Sequence, residues 1–167
     1  MLGSMRTALG AKYVASGGGG GYRYFRFDVL SNWGDTSYCD WSGLDILDSS
    51  NASVLPSPML LAYTSTNATE VSGFPVTNLF DGVLGGTGRW LMDLVAGVDL
   101  PDIVLYIDCQ ASVTPATFRL ASSGFGAGGR MIKDVDIYGS NDNSNWTAIM
   151  SVQVYFGTKS VWQDFTV

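Results

Sequence analysis

Lys133-Asp-Val-Asp-Ile-Tyr-Gly-Ser-Asn-Asp-Asn-Ser-Asn-Trp-Thr-Ala-Ile149 reads as a strand, a turn and a second strand. Val135 and Ile137 share one face of an extended chain, while Asp134 and Asp136 share the other. That two-residue period marks a strand with one buried face. Gly139 to Asn145 is a run of Gly, Ser, Asn and Asp, the residues that favour tight turns through left-handed backbone or side-chain-to-backbone hydrogen bonds. Trp146 to Met150 resumes the extended pattern.

The same grammar extends in both directions. Tyr22 to Leu30 alternates from Tyr24 onward: Phe25, Phe27 and Val29 point one way, and Tyr24, Arg26 and Asp28 the other. Arg23 falls on the apolar parity and interrupts the pattern. Further strands are expected at Ser42–Asp48, Met59–Tyr63, Ile103–Asp108, Ala116–Ala121 and Val161–Val167. Between them lie segments rich in Gly, Pro, Ser, Asn and Asp, at 32–35, 49–58, 71–82, 84–90 and 122–130. No apolar stripe of helical period reaches about 10 residues. The expectation is an all-β sandwich or jelly roll.

Composition agrees. The 167 residues are enough for one domain with a substantial core. Charged residues make up 14% and aromatic residues 13%, a balance that suits strands better than solvent-facing helices. The net charge of −6, without a basic cluster, argues against nucleic acid and against an anionic membrane surface as partners. There is no histidine, so the commonest general base and zinc ligand is missing. Cys39 and Cys109 allow at most one disulfide, and two buried thiols are the expectation. Asp134 and Asp136 read as a solvent-facing row, not as a glycosidase pair, which must flank the scissile bond. Arg119, Arg130 and Lys133 offer polar partners, but no nucleophile is paired with a base, and the expectation is a protein that is not an enzyme.

Residues 1–21 read as an arm ending in the five-glycine tether Gly17–Gly21, with the domain proper at 22–167. Residues 1–13 lack the pattern of a secretory leader.

The Lys133–Ile149 stretch resembles the discoidin, or F5/8 type C, family of galactose-binding-like domains, in which a strand is followed by Gly-Ser-Asn-Asp-Gly and a Trp-Thr strand. Val76-Thr-Asn-Leu-Phe-Asp-Gly82 followed by Trp90 is similar to the family's Asn-x-Phe-Asp-Gly loop and the Trp after it. Pro101 to Asp108 is similar to a family strand that ends in Asp. Tyr22–Phe27 and Leu44–Ile46 resemble the family's closing strands, which here come first. The resemblance therefore implies a galactose-binding-like jelly-roll β-sandwich in circularly permuted order, unless residues 22–48 complete a neighbouring subunit. The Tyr-Arg-Tyr-Phe-Arg opening is similar to domains of bacteriophage virion proteins.

What this implies is a non-catalytic structural or decoration protein of a capsid or tail. Its expected partners are other virion proteins, further copies of itself in a homo-oligomer, and host surface glycan, and its expected place is the virion. The other reading is a glycan-binding adhesin module that recognises host polysaccharide. Sugar C–H faces stack on aromatic rings while hydroxyls need polar partners. Trp33, Asp35, Tyr38, Asp40 and Trp41 offer both in one loop, with Arg89 beside Trp90 as a second possibility. For Trp90 the better expectation is the core. The resemblance also implies a structural calcium ion near Asp81, with Asp45 as a second ligand, since hard cations gather several oxygens. The alternative for Asp81 is a turn cap.

Overall fold

In the computed structural model, residues 20–95, 102–123, 129–155 and 160–167 are described. The expected arm at 1–21 and part of the glycine-rich stretch at 122–130 lie outside them, apart from Gly20 and Gly21 and the ends of that stretch.

The protein is all-β with antiparallel sheets and, among the described residues, one short 3-10 helix at Val76–Phe80. The strands are β1 Tyr22–Val29, β2 Tyr38–Trp41, β3 Gly43–Leu47, β4 Leu60–Ser65, β5 Ala68–Glu70, β6 Trp90–Leu94, β7 Ile103–Val113, β8 Thr117–Ala121, β9 Asp134–Ser140, β10 Thr147–Gln153 and β11 Trp162–Thr166. They form a five-stranded sheet, β10-β9-β1-β7-β4, and two three-stranded sheets, β11-β8-β3 and β2-β6-β5.

β1 is central. It pairs with β7 on one side and β9 on the other, so the first described strand completes the large sheet within its own chain. Alternation explains its role: Phe25, Phe27 and Val29 are buried while Tyr24, Arg26 and Asp28 lie on the outer face. The Phe118 ring of β8 meets Phe25 at 5.8 Å and Phe27 at 5.9 Å, both edge-on. Phe27 also meets Trp41 of β2 at 6.0 Å. These contacts close the sandwich, since one β1 side chain touches both three-stranded sheets.

Arg23, the exception in the alternation, has a local cause. The β1–β7 register slips between Tyr22 and Tyr24. Arg23 donates from Nε and Nη2 to the Asp108 carboxylate at 2.8 and 2.9 Å. Gly139 of β9 lies under the Tyr22 ring, where a Cβ would come within 2.4 Å of a ring carbon.

A Cβ on Gly21 would sit 3.0 Å from the Val113 carbonyl oxygen. The Val167 amide donates to the Ala116 carbonyl at 3.0 Å. Gly21 and Val167 thus both flank the connection between β7 and β8.

Candidate functional site

The segment from Asn32 to Trp41 is not a single loop. Its second half, Tyr38–Trp41, is β2, paired with β6 from Tyr38↔Asp93 to Trp41↔Trp90. The expected sugar-binding set is divided by that strand. Trp41 is 1% exposed, Asp40 2% and Arg89 6%, so none of the three is offered to solvent as a platform. Trp41 donates from Nε1 to the Gly43 carbonyl at 2.8 Å and packs on Phe27. Arg89 donates to the Gly86 carbonyl at 2.6 Å and lies over the Phe74 ring. Trp90 is also core, with Nε1 donating to the Glu70 carboxylate at 3.0 Å.

Trp33 and Asp35 of the first half and Tyr38 at the start of β2 are half-buried and remain together. Asp35 accepts the amides of Ser37 and Tyr38, both at 2.8 Å, and pairs with Arg130 at 3.2 Å. Burial raises its pKa, but those amides and the guanidinium outweigh it and hold the carboxyl below its ordinary value. Arg130 lies 4.4 Å from the Tyr38 ring centre. Trp33 donates from Nε1 to the Val154 carbonyl at 3.1 Å, and the Lys133 ammonium stands 5.2 Å from its ring centre. Most polar atoms here hold the loop itself, leaving the half-exposed Trp33 ring as its principal contact surface.

Asp40 has a different character. Its amide and carbonyl are fixed by Arg130 and Ile132, while its Oδ1 atom is buried without a hydrogen-bond partner among the described residues. Desolvation pushes the carboxyl up to about 6, against the pull of Ser123, Arg89 and Arg130.

The two carboxylates expected at a calcium ion each have nearer duties. Asp81 accepts the Val83 amide at 2.7 Å, the geometry of a turn cap. Asp45 accepts the Ser53 hydroxyl at 2.6 Å and the Ile46 amide at 2.8 Å. A cleft of about 390 Å³ lies beside Asp45, walled by Ser53, Phe80 and Trp162. No group of three or more His, Cys, Asp or Glu side chains converges among the described residues.

Half-buried aromatic and charged side chains gather on the outer face of the five-stranded sheet. Strand register lines its side chains up in rows. The middle row is Ala62–Tyr106–Arg26–Tyr138–Ala148, one residue from each strand in spatial order. Above it runs Leu60–Asp108–Tyr24–Ser140, and below it Thr64–Val104–Asp28–Asp136–Ser151. Arg26 anchors the middle row. It pairs with Asp28 at 2.9 Å and lies 4.2 Å from the Tyr138 ring centre and 5.2 Å from that of Trp146. Trp146 in turn meets Tyr106 at 5.9 Å. Burial raises the Asp28 carboxyl, with Arg26 opposing. Asp136 accepts the Ser151 hydroxyl at 2.5 Å.

Beside this platform opens a groove of about 360 Å³ between Tyr24, Tyr106, Asp108, Leu60, Ala62 and Asn143. Tyr24, Arg26 and Asp28 were visible as one face in the sequence; Tyr106 and Tyr138 join them only through long-range pairing.

No family model, no curated protein and no solved structure matches the chain.

Proposed function

We propose that the chain is a non-catalytic virion surface protein, built on a galactose-binding-like jelly roll in circularly permuted order, whose outer sheet face holds host-surface glycan while other surfaces contact virion proteins. The permuted order is supported by Gly21 and Val167 both lying beside the β7–β8 connection, since a fold can be opened elsewhere only if its termini lie close. The virion setting rests on the resemblance of the Tyr22–Phe27 opening.

The glycan part is carried by one observation, the Tyr106–Arg26–Tyr138 row with Trp146 against it. Sheet faces toward water are usually short and polar. This one presents aromatic rings that suit sugar C–H faces, next to carboxylates, Asn143 and tyrosine hydroxyls that suit sugar hydroxyls. Five strands make the row about 19 Å across, longer than one monosaccharide. Its cations are already paired, Arg23 with Asp108 and Arg26 with Asp28. The fitting ligand is therefore a neutral saccharide chain.

The experiment is binding of the full chain to a glycan array and to host surface polysaccharide. Capture of neutral oligosaccharides, lost in Tyr106→Ala, supports the reading. Capture that survives Tyr106→Ala but is lost in Trp33→Ala moves the site to the 32–38 segment. Absence of binding leaves protein contacts, to which aromatic and Arg-rich faces are also suited, as the function of this surface.

A further inference from the structure

The two edges of the five-stranded sheet are built differently. β10 slips its register against β9 between Ala148 and Met150, and its inward Met150 and Val152 are buried. β4 pairs with β7 from Leu60 to Ser65 without a slip. Leu60-Leu61-Ala62-Tyr63-Thr64-Ser65 has no charge and no proline. Its inward Leu61 and Tyr63 are only partly covered, and Leu60 is 50% exposed. Proteins blunt free edges with bulges, charges or prolines, because unpaired backbone groups template further strands. β10 has a bulge, β2 is covered at Asp40 by backbone bonds to Arg130 and Ile132, and β5 and β11 carry Glu70 and Asp164. β4 uses none of these devices.

We propose that β4 pairs antiparallel with β4 of a second copy of this chain, about a two-fold axis at Ala62, so that two five-stranded sheets become one. In that register Ala62 faces its own copy, Leu60 faces Thr64 on the outer side, and Leu61 faces Tyr63 on the inner side. Two features select a second copy. The residue on the axis meets its own copy, so a charge there would be repelled, and β4 sets the small, uncharged Ala62 at that position. The half-covered Leu61 and Tyr63 also supply each other's missing cover across the axis. Because Ala62 ends the middle row, the two outer faces come to lie side by side. The pairing stands on the edge alone and does not depend on what the face binds.

The test is light scattering of the full chain over a dilution series, beside Ala62→Lys. Wild type is expected to be a dimer that dissociates on dilution. Ala62→Lys, which sets two ammonium groups against each other at an exposed position, is expected to weaken association at least tenfold while keeping a cooperative thermal transition. If that variant fails to fold, Ala62→Cys replaces it: mild oxidation should give a covalent dimer, absent in Val83→Cys. A monomer at every wild-type concentration overturns the proposal, including the case in which residues 1–19 cover the edge. So does any other stoichiometry, a folded Ala62→Lys that remains dimeric, or equal cross-linking of the two cysteine variants.

Discussion

The Arg26 guanidinium lies 4.2 Å from the centre of the Tyr138 ring, its register partner on β9. The geometry is a cation–π contact on a sheet surface, made firmer by the Asp28 carboxylate at 2.9 Å and the Trp146 ring at 5.2 Å. Arg26→Ala should cost about 1–2 kcal/mol of stability, from lost ring contact and stem packing. Arg26→Lys should recover only part of that loss, because an ammonium lacks the planar fork. Urea titration of the three proteins checks this; indistinguishable midpoints would mean that the row is merely a solvated surface.

Asp40 gives a pH signature. Its folded pKa is raised from 3.8 to about 6 by burial. The folded state therefore holds the proton more tightly than the unfolded chain, and this contribution is complete below about pH 4. It is lost as pH rises through about 6, by roughly 3 kcal/mol for a shift of that size. Asp108, lowered chiefly by its hydrogen bond from Arg23, has the opposite sign and loses stability on acidification. Taking the difference between wild type and Asp40→Asn at each pH cancels such groups. Asp40→Asn should compare with wild type more favourably at pH 8 than at pH 4. A flat difference between these pH values would contradict the buried-carboxylate reading.

Asp81 separates a turn cap from a metal ligand. As a cap on the Val83 amide, its loss in Asp81→Ala should cost about 1 kcal/mol, with or without chelator. Chelator alone should leave the melting temperature of wild type unchanged. A fall in melting temperature that added calcium reverses would place an ion at this loop.

Gly21 and Val167 both lie beside the β7–β8 connection, which makes a rearranged chain testable. Residues 49–167 followed by a short Gly/Ser linker and residues 22–48 should fold with a cooperative transition. The cost should be about 1–2 kcal/mol, for cutting the Asp48–Ala52 turn. Failure to fold would mean that β1 cannot be delivered from the C-terminal side.

Strands with one buried face could be read from the sequence, since Phe25, Phe27 and Val29 on β1 and Val135 and Ile137 on β9 alternate with polar residues. β2 and β6 could not. Cys39, Asp40 and Trp41 are buried in succession, as are Trp90, Leu91 and Met92, so no period of two survives. Asp40 inside such a strand makes it look like a loop, so Asp40 and Trp41 read as neighbours of Trp33, Asp35 and Tyr38. The outer-face row was half legible. Parity put Tyr24, Arg26 and Asp28 on one face, but the neighbours Tyr106 and Tyr138 lie 80 and 112 residues away from Arg26 in sequence. Only the strand order brings them together.

The most direct measurement is the affinity of the full chain for the best neutral oligosaccharide on an array, compared among wild type, Tyr106→Ala and Trp33→Ala. The account predicts a loss of about tenfold or more in Tyr106→Ala, equivalent to ~1.4 kcal/mol for one lost stacking contact, and little change in Trp33→Ala. No saccharide binding by wild type, or binding that Tyr106→Ala leaves intact, would contradict it.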